Sequence, residues 1–278
     1  MRDKQTQLKL TNTATMKHFE FTGETMEYNG RTLRRIRYTR DVQYIKAGTL
    51  GGWIEKEENL QGEALVLNEA KIMDNAIIQG YALMFDNAQM SGKAKMSDYS
   101  QMHNNAQMSG KAQMFDKANM FDKAQMFDNA KMFDNAQIRD NAQMFGNAKM
   151  YSLSLMQDNA KMSGNAIMHN CAQMYGESQM FDNAQMFDCA IMQDNAKMYG
   201  NAQMSGNAIM RDNATMSGNA IMQDNAIMCD DAQMHGNAIM RGDAQMFGDA
   251  RMWDNTIMQD NAKMCGNAKM QGNAQICG

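Results

Sequence analysis

The chain has 278 residues, 44% hydrophobic and 21% charged, with a net charge of −4. That balance carries no basic footprint for nucleic acid or an anionic membrane surface. No run of about 18 apolar residues is present, so no membrane span is expected. The 35 Met, the absence of Pro and the five scattered Cys are more telling. An odd, dispersed set of thiols suits a reducing cytoplasm better than a disulfide framework.

Taken in chain order, residues 1–15 form a flexible polar lead-in with no apolar segment of the kind a secretory signal needs, which again implies a cytoplasmic protein. Residues 16–53 read as a β-hairpin cap. "FEFTGETMEYNGRTLRRIRY" alternates, and Asn29-Gly30 is a strong two-residue hairpin turn. The cap leads through "AGTLGGWIEKEENL" into a long repeat, with Trp53 expected to plug the near end of that repeat.

From residue 54 to 278 the chain repeats every six residues, and a fixed period governs how the rest is read. The large residue of each hexad, position 1, falls at Ile54, Leu60, Val66, Ile72 and Ile78, then at Met84 and every sixth residue to Met270, with Ile138 the one departure. Position 5 is Ala almost throughout, position 3 is Asp or Gly, and position 4 is usually Asn. Positions 5 and 1 are two apart, so a strand points both inward while 6 and 2 point out. Asp, Gly and Asn at 3 and 4 tolerate left-handed backbone and make corners. A period of six fits no helical face. Each hexad is therefore a short strand plus a corner, and the chain coils into an all-β parallel β-solenoid. Outward Ile at position 6 (167, 191, 209, 221, 227, 239 and 257) falls on two of three faces when sorted by 18 and scatters when sorted by 12. Gly at position 3 clusters on one corner in the same way. The coil is therefore triangular, with 18 residues per turn, and the rod is about 60 Å long.

Met126, Asp128, Asn129 and Ala130 in "MFDNAQ" resemble the hexapeptide repeat of the left-handed parallel β-helix, as in the acyltransferases of that family. Phe127 stands where that family prefers Gly. The resemblance covers residues 54–278, and left-handedness is what it implies. "GGWIEKEENL" and the Asn-Ala hexads are also similar to uncharacterised β-solenoid proteins of bacteria and their phages, which implies a fold and little about activity.

Function is read from what the coils expose. An interior of three large and three small side chains per layer suits Met, which is unbranched and deformable. Met is expected to be packing. The alternative is Cu(I) or Ag(I) held by thioethers such as Met126, Met132 and Met144. Aromatics at position 2 should stack in columns, Phe115, Phe133 and Tyr151 in one and Phe127 and Phe145 in the next, and these five residues form the candidate interaction strip. Asp86, Asp122, Asp140, Asp158, Asp194, Asp212 and Asp230 share a corner and are the candidate Ca²⁺ ligands, with solvated turn residues the commoner role. Arg31, Arg34, Arg35, Arg37 and Arg40 on the cap are expected to be a wet hairpin face, a phosphate or nucleic-acid patch being the other reading. His18, His103, His169 and His235 assemble no acid, base and oxyanion set, so a hexapeptide acyltransferase ranks third among the readings. Cys171 and Cys189 should stack within disulfide reach and stay reduced. The last hexad, "NAQICG", shows no cap, and an open coil invites strand addition. The resulting expectation is a non-enzymatic scaffold or protein-interaction module that takes a protein partner or a second copy and no cofactor.

Overall fold

The computed structural model describes residues 17–278; the polar lead-in expected at 1–15 lies outside the described residues. Three sheets of 15, 12 and 12 strands run the length of the molecule, their coil strands parallel and drawn from every third hexad, with two antiparallel strands added at the N-terminal end of the largest. We call them face I (Ile54, Ile72, Met90 and on to Met270), face II (Ile78, Met96, Met114 and on to Ile276) and face III (Val66, Met84, Met102 and on to Met264). Neighbouring strands on a face are one coil apart in unbroken register, as in Gln125↔Gln143 and Met126↔Met144. The coil is thus 18 residues, and 12 strands on each of faces II and III at about 4.8 Å give a rod of about 60 Å.

The hexad explains the backbone. Gln125 N–H donates to Ala142 O at 3.0 Å and Phe127 N–H to Met144 O at 3.1 Å, both in the next coil. Ala130 N–H turns back to Phe127 O at 3.3 Å and closes the corner. Only position 3 is left-handed: Asp128 has φ of 58° and Asp158 of 59°. Position 4 keeps ordinary φ, so left-handed backbone is not what its Asn supplies. Ala at 5 and Met at 1 fill one continuous interior from Ala64 to Met270, and Met84 through Met258 are 0–1% exposed.

The N-terminal end is a three-stranded antiparallel extension of face I. β1 (Phe19–Tyr28) pairs β2 (Arg31–Tyr38) through an Asn29-Gly30 turn with φ of 51° and 72°. β2 pairs antiparallel with β3 (Leu50–Ile54), and β3 pairs parallel with Lys71–Ile72. β3 therefore belongs to both cap and first coil. Gly51 and Gly52 allow this: a Cβ on Gly51 would lie 2.5 Å from Ile36 Cγ1, and one on Gly52 2.6 Å from the Ala70 carbonyl oxygen.

The bore is closed by Phe19, Ile36, Tyr38 and Val42 rather than by Trp53. Trp53 packs outside the coil with Leu33 and Met73 in a separate small core. The reason is strand alternation: Ile54 points in, so Trp53 must point out. Tyr38 is fully buried, and its hydroxyl both donates to Val66 O at 3.0 Å and accepts Val66 N–H at 2.8 Å. Asn59, also fully buried, pins the short 3₁₀ turn Glu57–Asn59 to the first coil by donating to Asp74 O and Ala76 O.

Candidate functional site

Every side chain of the coils stands above its counterpart 18 residues on, so the surface is a set of columns at the coil pitch. The corner Asp column has a role that sequence reasoning left unexplained. Asp140 Oδ2 accepts Asp158 N–H at 3.3 Å, Asp158 Oδ2 accepts Gly176 N–H at 3.0 Å, and Asp212 Oδ2 accepts Asp230 N–H at 3.3 Å. The carboxylate satisfies the corner N–H of the next coil, a charge-assisted bond at an otherwise open backbone donor. That is a structural duty for the candidate Ca²⁺ ligands.

Asn at position 4 forms the second column. Asn129 Nδ2 donates to Asn147 Oδ1 at 3.1 Å, and the ladder continues through Asn165, Asn183, Asn201, Asn219, Asn237 and Asn255 to Asn273. Turn propensity was the only sign of this in the sequence; the ladder depends on the 18-residue register.

The five strip residues stack as expected. Phe115–Phe133 centroids are 5.1 Å apart, Phe133–Tyr151 4.9 Å and Phe127–Phe145 5.0 Å, all near parallel. Each ring is half-buried, its faces covered by its neighbours and its edge turned out. The two columns lie on different faces, Phe115, Phe133 and Tyr151 on face II and Phe127 and Phe145 on face I. Between them runs a groove of about 440 Å³ lined by Lys111, Gln113, Asn129, Lys131, Asn147 and Lys149. Neither the groove nor its lysines figured in the sequence reading, because the residues that line it are drawn from three successive coils.

Three of the histidines are members of the ring columns. His103 sits between Phe85 and Phe121 at 4.7 and 5.1 Å, His169 stacks on Tyr151 and His235 on Trp253. His18 is buried in the cap with Nε2 3.0 Å from Ala64 O. Burial pulls its pKa below the usual imidazole value, against smaller upward pushes from that hydrogen bond and from Glu63.

The cap arginines are engaged individually. Arg31 meets Glu55 and Asp74, Arg35 meets Glu69 at 2.8 Å, Arg37 meets Glu20 at 3.9 Å and Arg40 meets Glu63 at 2.6 Å. Arg34 donates to Glu55 O and lies 3.7 Å over the Phe21 ring.

The soft-metal trio does not form one layer. Met126 and Met144 are partners on face I in successive coils, while Met132 is on face II. All three are fully buried in a bore of Met and Ala, with no exposed thioether among them. Asp212, Cys229 and Asp230 place one ligand atom each within 4.8 Å of one another. Burial, and then the neighbouring Asp230 carboxylate, push the Cys229 thiol up, so it stays protonated at neutral pH.

The two thiols expected to stay reduced do not. Cys171 and Cys189 lie 18 residues apart with Cα atoms 4.8 Å apart, as the register requires, and they are joined as a disulfide rather than held as free thiols. They occupy position 4, where an Asn pair would otherwise bond, and stacking places the two sulfurs together without backbone adjustment. No helix among the described residues is long and apolar enough to cross a membrane. No family model and no curated protein matches the chain.

Proposed function

We propose that the chain is a non-enzymatic rigid rod, a scaffold or protein-interaction module that works through its lateral columns. We take its coil to be left-handed, which rests on the resemblance of "MFDNAQ" to the hexapeptide repeat alone. One observation carries the functional reading. Many Asp, Asn and aromatic side chains of the coils are engaged by the coil one turn away, in the Asp–N–H, Asn–Asn and ring stacks. A surface of that kind offers a regular lattice of contacts, and where Asp212 and Asp230 converge on Cys229 the thiol is buried with its pKa raised, the opposite of an activated nucleophile. The soft-metal reading has the bore against it, since the thioethers are sealed behind Ala and the strands.

Hydrogen exchange tests rigidity. Backbone protection should be uniformly high from about residue 84 to 258, and a fast-exchanging segment inside that span would contradict the rod. A Cu(I) titration of the reduced protein, with bound metal counted after gel filtration, tests the bore. Binding should be confined to the Cys residues. Several ions per chain surviving replacement of all five Cys would turn the reading toward metal storage.

A further inference from the structure

Over residues 93–153, four of its 12 strands, face II has a lateral order that the other faces lack. Across it in the strand direction, column by column, there is first a basic column, then the aromatic column, then an acidic one. The basic side holds Lys93, Lys95, Lys111, Lys131 and Lys149. The centre holds Phe115, Phe133 and Tyr151. The far edge holds Asp98, Asp116 and Asp134, all exposed. Lys117 on the acidic edge and Asp128 on the basic edge are the exceptions. None of the five lysines has an ion-pair partner among the described residues, whereas Arg139 and Arg211 on face III pair with Asp140 and Asp212 beside them. Lys131 and Lys149 sit directly opposite each other on adjacent strands, an arrangement of like charges that is unfavourable unless neutralised. At the acidic edge the repeat also exposes large apolar side chains, Tyr99 at 57% and Leu153 at 65%. Leu153 stands where the repeat usually has Asn.

We propose that face II is the mating surface for a second copy of this chain, the two rods docking parallel and in register about a two-fold axis that runs along their length. The proposal rests on the rod reading and names its partner. The columns select the geometry. A half-turn about an axis along the rod exchanges left and right, so each basic column meets the partner's acidic column and the aromatic columns meet each other. A half-turn about an axis across the face sets lysine on lysine and aspartate on aspartate. The first arrangement is self-complementary, as an isologous contact must be, and like-charge juxtaposition penalises the second. The edge-on rings at the centre supply apolar area that water leaves when the faces close, and Tyr99 and Leu153 extend it toward the partner's Asn and Lys corner.

The test is sedimentation of the full chain across concentrations up to about 100 μM, a range suited to a modest interface. The apparent mass should rise from 31.3 kDa toward twice that value. Lys95→Glu, Lys131→Glu and Lys149→Glu together should hold it at the monomer; these are outward strand positions, so folding is unaffected. Asp98→Asn, Asp116→Asn and Asp134→Asn, which keep the corner hydrogen bond, should weaken association in the same direction. Orientation is read by cross-linking in a background where Cys229, Cys265 and Cys277 are Ser. Phe115→Cys and Tyr151→Cys, each alone, should give a covalent dimer, and a mixture of the two should add no further species. A monomer at every concentration overturns the proposal, as does association indifferent to the lysine triple, or cross-linking seen only in the mixture. A monomer retained on a sulfated polysaccharide column through the same lysines also overturns it and reassigns the groove to an anionic polymer. Hydrogen exchange on the same samples separates the two levels: a monomer with uniform protection sinks the dimer and leaves the rod, whereas patchy protection sinks both.

Discussion

In the cap, stabilising contacts join unlike residues far apart in sequence: Tyr38 with Val66, Arg40 with Glu63, His18 with Ala64. In the coils they join like with like, 18 residues on: Asn with Asn, ring with ring, Met with Met. The cap is a small ordinary fold whose parts are each present once. The coils are a lattice in which any one contact has copies above and below. Removing a cap residue should therefore open the end of the bore. Removing a coil residue should leave a local defect bounded by intact neighbours, as in other repeat architectures.

That contrast can be broken from the cap side first. Tyr38→Ala should cost about 3–5 kcal/mol of stability in chemical denaturation, from a large cavity, with both Val66 backbone groups left unpaired as well. The paired experiment in the bore is Met144→Ala, expected to cost about 2–5 kcal/mol. Met144→Leu should cost less than about 1.5 kcal/mol, because the volume is kept. A Met144→Leu loss as large as that of Met144→Ala would mean that the thioether does something beyond filling space.

The corner is sharpened by a pair of substitutions at one residue. Asp158→Ala should cost about 1–3 kcal/mol, because Gly176 N–H loses its acceptor and Ala remains in a left-handed backbone. Asp158→Gly removes the same carboxylate yet relieves the backbone, so it should cost clearly less, as Gly146 and Gly164 at equivalent corners suggest. Equal losses would mean that backbone conformation contributes nothing there.

The smallest expected effect is the pH response of the cap. Burial holds the His18 ring below its ordinary pKa of 6.5, and Glu63 and Arg40 are the charged groups that act on it. The unfolded chain thus binds the proton more readily. The stability conferred is whole above pH 6.5 and is lost as pH falls from there through the lowered folded value. The exchange free energy of cap amides, referred to the intrinsic exchange rate at each pH, should fall between pH 7.5 and 5, and His18→Phe should flatten that dependence. A cap whose exchange free energy is unchanged by pH would contradict a buried neutral ring.

The two regions also differ in how far their sequence could be read. The coil wrote its period, its inward Met and Ala and its 18-residue turn into the chain, because a strict repeat prints each position many times. Stacking of Phe115, Phe133 and Tyr151 followed from that register alone. The cap was legible only as far as Asn29-Gly30. The partner of Tyr38 lies in Val66, and Trp53 turns outward because β3 pairs in two directions at once, a fact no local pattern contains. Within the coils, Asp and Asn were recognisable as corner formers. Their second duties, toward the next corner N–H and along the Asn ladder, emerge only once strands are stacked. The order of Lys, ring and Asp across face II was invisible for the same reason.

Each residue of the coils is held by its counterpart 18 residues away. The most direct measurement pairs two double substitutions in the background lacking Cys229, Cys265 and Cys277. Asn201→Cys with Asn219→Cys should close a disulfide on mild oxidation, as Cys171 and Cys189 do. Asn201→Cys with Asn213→Cys, 12 residues apart on different corners, should stay as free thiols. A bridge in the second pair and none in the first would mean a coil of two hexads, and the Asn, Asp and aromatic columns would not exist.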